Sequence, residues 1–162
     1  MKQELVDMID ACSAEIDDIR NRLSTLPVMD RSRRYLTQYA LIRACGTIEF
    51  VYRSIVADFF DSSPLTQIHT YLEKTVRTGS MSATYKNMQT LLGKFDDNWK
   101  SNFQQAVNSH ADSNRIIASA KSLVENRHAF AHGRTPTATF NDIQNYYNDA
   151  LTLIDLFDSI VV

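Results

Sequence analysis

A chain of 162 residues with 44% hydrophobic and 22% charged residues has enough apolar side chain for one globular core; two cores and a disordered segment are both excluded. Its formal net charge of −2 provides no global basic field, so any contact with RNA or DNA has to come from a local patch. Only four Gly and three Pro occur, which disfavours a sheet with many hairpins and predicts long helices.

In chain order, Leu5, Ile9, Cys12, Ile16, Ile19, Leu23 and Leu26 alternate steps of four and three, the stripe of an amphipathic first helix that Pro27 closes. A second helix is predicted from about Asp30 to Phe60. It is apolar on most sides (Tyr35, Leu36, Tyr39, Leu41, Ile42, Ile48, Phe50, Val51, Ile55, Val56, Phe59), as befits the long central helix of a bundle. Ser63 as N-cap and Pro64 at the first helical position open a third helix, which carries Leu65, Ile68, Tyr71, Leu72 and Val76 and ends near Gly79. Tyr85, Met88, Leu91 and Leu92 predict a short helix stopped by Gly93, and Phe95, Trp99, Phe103 and Val107 another at steps of four. Ile116, Ile117, Ala120, Leu123 and Val124 mark a helix that reaches about Ala131, ahead of Gly133 and Pro136. Thr139 with Asp142 reads as a capping box for a last helix, whose stripe runs through Phe140, Ile143, Tyr147, Ala150, Ile154, Phe157 and Val161. The fold class expected is all-α, a single helical bundle over residues 1–162.

Acids throughout the first helix are foreign to a signal peptide. The most apolar stretch, Tyr35 to Phe60, is broken by Arg43, Glu49, Arg53 and Asp58, a set that a bilayer span does not tolerate. A cytoplasmic protein without a membrane partner is expected. Cys12 and Cys45 stand apart from each other and from any metal-ligand spacing; they read as core residues of a reducing compartment.

The segment from Leu123 to Gly133 breaks a local rule. At roughly 100° per residue, Arg127 falls near the middle of the apolar arc made by Ile116, Ala120, Leu123, Val124, Phe130 and Ala131. A guanidinium there has to be paired, or to open onto a cleft or a partner surface. The pairing reading gives it a buried acid such as Glu49, or carbonyls at its helix end. His132 lies roughly 140° away on an unbroken helix, so the two converge only if the helix breaks near His132 or if two copies face each other. His128 and His132 stand at i and i+4, a spacing at which two imidazoles can share zinc. No Glu follows His128 and no third ligand is near in sequence, so metal is the weaker reading and no cofactor is expected.

Arg127-His-Ala-Phe-Ala-His132 resembles the Arg, four-to-six residues, His signature of the HEPN superfamily, and its setting from Leu123 to Gly133 resembles that motif's usual surroundings. The upstream helix with Arg43, Glu49 and Arg53, and the run from Asn87 to Phe95 followed by Trp99 and Phe103, are similar to the RiboL-PSP-HEPN branch. The likeness spans the chain from about Tyr35 onward, with residues 1–27 as an N-terminal helical extension. The position after the Arg is often Asn or Asp in the family and is His128 here, which leaves that residue's role open.

The resemblance implies a metal-independent endoribonuclease acting as a homodimer, the motifs of two subunits forming one cleft, in a toxin–antitoxin or antiviral setting where an antitoxin or sensor protein is a further partner. RNA carries its own nucleophile, the 2′-OH, so cleavage needs a base, a cation for the phosphorane and an acid for the 5′-oxygen. His132 suits acid or base, because an imidazole titrates near neutral pH. Arg127 suits the phosphate, as a planar fork of donors. His128, Asn126 and Arg134 are candidates for holding substrate, with Glu49 and Arg43 as supporting residues. Glu49 is placed first in an ordinary i, i+4 pair with Arg53. The rival reading is a non-catalytic HEPN scaffold or a regulatory module that binds protein or RNA. Nucleotide binding without cleavage is disfavoured, since the glycines at 46, 79, 93 and 133 make no phosphate loop.

Overall fold

The computed structural model describes every residue from Met1 to Val162, and all its regular structure is helical. The first helix, α1 (Gln3–Thr25), buries Leu5, Cys12, Ile16, Ile19 and Leu23 along the predicted stripe. Leu26 turns extended ahead of Pro27, as a residue before proline prefers. Arg33 of the next helix donates to the carbonyls of Leu23 and Leu26 and so satisfies acceptors that the end of α1 leaves open. These five residues belong to the same core as the other helices, so α1 is an integral wall of the domain and not an appendage to it.

At its centre runs α2 (Ser32–Phe59), whose 28 residues span about 42 Å. From Ala40 to Ala57 it is buried on most of its circumference and packs against α1 and the last two helices. The expectation of burial fails for its first turns. Tyr35, Tyr39 and Ile42 remain 66%, 53% and 40% exposed, because α1 and the last helix cover the opposite side of this end.

A third helix, α3 (Thr66–Leu72), runs straight into a π-helical turn, Glu73–Arg77. It starts later than Ser63 and Pro64 predict. Ser63 closes a turn on Phe60, and its hydroxyl accepts from the Leu65 amide at 3.3 Å, so the proline lies outside the helix. Gly79 ends the segment, and a Cβ there would collide with the Thr75 carbonyl oxygen.

Two short helices follow, α4 (Tyr85–Gly93) and α5 (Asp97–Ser109), each opened by a side-chain cap. Thr84 accepts from the Asn87 amide, and Asp96 from those of Asn98 and Trp99. The closing pair, α6 (Ser113–Ala131) and α7 (Phe140–Asp158), packs as an antiparallel hairpin against α2. Tyr52, Phe103 and Phe157 meet edge to face at the centre, with ring centroids 5.9 and 5.4 Å apart.

The Thr139–Asp142 capping box is present in both directions, Thr139 Oγ1 accepting from the Asp142 amide and Asp142 from the Thr139 amide. Hydrogen bonds from the Thr139 hydroxyl and then its amide hold the Asp142 carboxyl below its ordinary value. The contribution is therefore present above about pH 3.9 and is lost as pH falls through the depressed folded value. Thr139→Ala is expected to cost about 1 kcal/mol by urea denaturation at neutral pH, with a smaller difference from wild type in acid. An equal difference at both pH values would show that the cap acts without the carboxylate.

Candidate active site

The apolar arc of α6 buries Ile116, Ala120, Leu123 and Val124, and Arg127 follows one turn on. The arc ends there. Phe130, Ala131 and everything through Thr135 stand clear of the core, with Phe130 37% exposed. Arg127 is thus at the border between packed and open helix, its side chain 27% exposed.

Its guanidinium reaches across to α2 and pairs through Nη2 with the Glu49 carboxylate, itself 18% exposed. The same nitrogen donates to Ser82 Oγ at 3.3 Å. Glu49 does not pair with Arg53, as helix spacing alone suggested. Arg53 Nε donates instead to the main-chain carbonyl of Glu49 at 2.7 Å. The physical reason is one of magnitude. An exposed i, i+4 pair is worth about 0.3–0.5 kcal/mol, whereas removing the partner of a buried charge costs about 3–5 kcal/mol. Arg127 is only partly buried and falls below that upper figure, yet the inter-helix pair still prevails.

Ser82 comes from the connection before α4, held in place by two bonds. Tyr52 donates its hydroxyl to the Met81 carbonyl at 2.8 Å, and Asn87 Nδ2 donates to the Ser82 carbonyl at 2.9 Å. Burial pushes the Tyr52 phenol well up, so it remains a donor. Ser82 Oγ also lies 3.3 Å from His128 Nε2. Arg127, Glu49, Ser82 and His128 therefore make one hydrogen-bonded cluster drawn from α2, a loop and α6. Ser82 was invisible in the sequence, one hydroxyl among several in a polar stretch with no spacing to mark it.

The electrostatics fix the charges. Burial alone would lower the Arg127 value, but the Cys45 sulfur and the Glu49 charge outweigh it and the net shift is upward, leaving a permanent cation. Burial first, then the Glu49 charge, push the Cys45 thiol up to about 12, so this sulfur, 3.8 Å from Glu49 Oε1, is a thiol and not a nucleophilic thiolate.

The C-terminal end of α6 is a Schellman motif. Gly133 takes φ +71°, its amide donates to the Phe130 carbonyl at 3.0 Å, and the Arg134 amide to that of Ala129 at 2.8 Å. The helix does break at His132, which caps it, and the His132 and Arg134 side chains project into solvent. The break alone does not unite the pair: Arg127 bonds Glu49 and Ser82, and His132 is in none of these bonds.

Two other candidates have structural positions. Asn126 Oδ1 accepts from the Thr137 and Ala138 amides at 2.9 and 3.0 Å while its Nδ2 donates to the Ser122 carbonyl, so it anchors the α6–α7 connection. Arg43 makes a two-pronged contact with Glu15 of α1 at 2.9 and 3.1 Å and donates to Thr47, which ties α1 to α2 and keeps it out of the Arg127 cluster. No group of three or more His, Cys, Asp or Glu side chains is gathered in a way that would seat a metal ion at His128 and His132.

An all-helical bundle with an Arg-to-His motif ending its penultimate helix is the architecture of a HEPN domain. The family model for RiboL-PSP-HEPN matches residues 8–162, and the chain belongs to that family. The match takes in most of α1, in keeping with its place in the core. Among curated proteins and among solved structures, nothing matches the chain.

Asn126→Ala would leave two connection amides without their acceptor. About 1 kcal/mol of stability should be lost, and hydrogen exchange at Thr137 and Ala138 should accelerate. Unchanged exchange at those two amides would show that the carboxamide does not hold the connection.

Proposed function

We propose that the protein is a metal-independent endoribonuclease that cleaves RNA by attack of the 2′-OH, with Arg127 and His132 of two subunits around one cleft. The observation that carries this reading is the state of Arg127 in a RiboL-PSP-HEPN chain: permanently charged, partly open to solvent, and bonded to protein oxygens through Nη2 alone. Its Nε and Nη1 make no hydrogen bond to a protein oxygen, so either can give a proton to a phosphate oxygen.

In the reaction, a base removes the 2′-OH proton, the 2′-oxygen attacks phosphorus, and a 2′,3′-cyclic phosphate forms as the 5′-oxygen leaves and takes a proton from an acid. Arg127 stabilises the charge on the non-bridging oxygens. His132 exchanges protons as base or acid. His128, already oriented by Ser82, steers the substrate, and Arg134 adds a cation from the loop. Asn126 acts from behind, through the connection it anchors. Glu49 is the support that aims Arg127.

The dimer has its own support. Tyr35, Tyr39, Ile42 and Gly46 form an exposed stripe on α2 that ends one turn before Glu49. Glycine inside a helix costs about 1 kcal/mol relative to alanine, and a Cβ at Gly46 would meet nothing within 4 Å, so no contact inside the subunit requires it. Close approach of a second copy would. A toxin–antitoxin or antiviral setting in the cytoplasm, with an antitoxin or sensor protein as regulator, is the biological context we infer from the family.

The second reading is a HEPN scaffold without catalysis. It is favoured by the Arg127–Glu49 pair, which is already a sufficient structural reason for the arginine. The test is incubation of purified protein with total RNA in excess chelator, beside Arg127→Ala and His132→Ala. Cleavage that survives chelation and falls at least about 100-fold in each folded variant, with cyclic phosphate ends, supports the enzyme. No cleavage by wild type favours the scaffold, and cleavage that the chelator abolishes turns attention to metal at His128 and His132. Sedimentation at micromolar concentration should give a dimer that Ile42→Glu dissociates. A monomeric wild type would refute the composite cleft.

A further inference from the structure

Beside the Arg127 cluster lies a cleft of about 260 Å³ between α2, the π-helical turn and the end of α4, with Arg53, Tyr71, Thr75, Ser80, Lys94 and Phe95 among its lining residues. Its chemistry is selective. The lining holds two cations and no acid, in a chain where 19 acidic residues outnumber 17 basic ones. Neither cation has a carboxylate partner. Arg53 gives its Nε proton to a main-chain carbonyl, and Lys94 extends into solvent.

The aromatic walls are equally unusual. Tyr71 is 61% exposed, a large ring face left in water. Phe95 opposite is braced by Phe60, ring centroids 5.4 Å apart. Behind these two rings the surface continues into an apolar hollow of about 340 Å³ that adds Ile68 and Leu72. The wall carrying Thr75 is the π-helical turn, a distortion found disproportionately at functional sites, and two residues past its end lies Gly79, where a Cβ would clash with the Thr75 carbonyl.

Unpaired cations next to an exposed aromatic face are what a nucleotide needs, a cation for its phosphate and a ring for its base. A neighbouring concavity makes the contrast. It is lined by Asp61, His69, Glu73, Lys74 and Arg77; two acids stand among its cations, and the arginine is bound to Asp58 and Glu73.

The cleft is also wired to the Arg127 cluster twice. Arg53 stands just over one helical turn, about 6 Å of rise, from Glu49 on α2, and Ser80 is two residues from Ser82 on the same pinned loop. We propose that this cleft is a subsite for one nucleotide of a single-stranded RNA, its phosphate on Arg53 and Lys94 and its base on Tyr71 against Phe95, next to the nucleotide whose phosphate Arg127 holds. The subsite rests on reading the Arg127 cluster as an RNA site. It gives the enzyme a grip on unpaired strand, because a base in a duplex has no free face to stack.

The test uses fully 2′-O-methylated single-stranded RNA, which binds but offers no 2′-OH to attack, with fluorescence anisotropy as readout. The altered residues are exposed, so the fold should survive each change. Tyr71→Ala should weaken binding about tenfold or more, while Tyr71→Phe, which keeps the ring, should bind like wild type. Lys94→Gln should weaken binding severalfold and lower the slope of log affinity against log salt by about 0.7. Wild-type affinity for Tyr71→Ala and Lys94→Gln alike would overturn the subsite, as would a wild type that binds no RNA. Full competition by adenosine monophosphate at the strand's own affinity would make this a free-nucleotide site and overturn it too. Because nothing is cut, weakened variants beside a wild type that never cleaves RNA would sink the ribonuclease reading and leave the subsite standing.

Discussion

A guanidinium placed on the packed side of a helix has to meet a counter-charge, and the Arg127–Glu49 pair meets that demand by joining α6 to α2. Much of the site follows from that bond. Glu49 is drawn away from Arg53, which turns to a main-chain carbonyl and keeps most of its donors unengaged. Ser82 is brought under the same nitrogen and hands an oriented contact to His128. One inter-helix ion pair thereby organises a hydroxyl, an imidazole and a second arginine, each on a different segment.

The position of His132 is governed by the end of its helix. Gly133 is the one residue with positive φ, and the turn it permits returns the chain through two carbonyl bonds in the Schellman pattern. Asn126 then anchors the connection from the other side. His132 is therefore held at a fixed exposed tip, rigid in its backbone and open in its side chain. That combination suits a residue that meets its counterpart across an interface, since within one subunit its ring reaches none of the Arg127 partners.

The helices were legible because their signals are local: three-four spacing in α1, α6 and α7, apolar stripes in α4 and α5, and the Thr139–Asp142 box. The motif was legible for the same reason, being a spacing on one helix. What escaped the sequence was whatever depends on two segments meeting. Tyr35, Tyr39 and Ile42 read as core by composition and lie outside, since spacing cannot tell which face of a mostly apolar helix lacks a neighbour. Glu49 read both as the i, i+4 partner of Arg53 and as a buried acid for Arg127, and spacing could not choose between them; the meeting of α2 with α6 does. Asn126 sat in the motif's surroundings and read as a substrate contact, while its acceptor serves amides eleven and twelve residues on. Ser63 and Pro64 failed for a local reason, a competing turn that used the serine first.

The same arrangement explains how a chain of slightly acidic net charge can present cations to an anionic ligand. Arg43 is bound to Glu15, Arg77 to Asp58 and Glu73, Arg115 to Asp112 and Asp149, and Arg33 to the carbonyls that end α1. The pairs of Arg43, Arg77 and Arg115 use up carboxylates away from the Arg127 cluster. Arg53, Lys94 and Arg134 are left without acidic partners, and Arg127 keeps Nε and Nη1 free of bonds to protein oxygens. A local positive field needs no excess of lysine and arginine in the whole chain; it needs the acids to be occupied elsewhere. With a Debye length of about 8 Å at physiological salt, an anion within reach of Arg127 responds to the unpaired cations nearby and little to the distant acids that set the net charge.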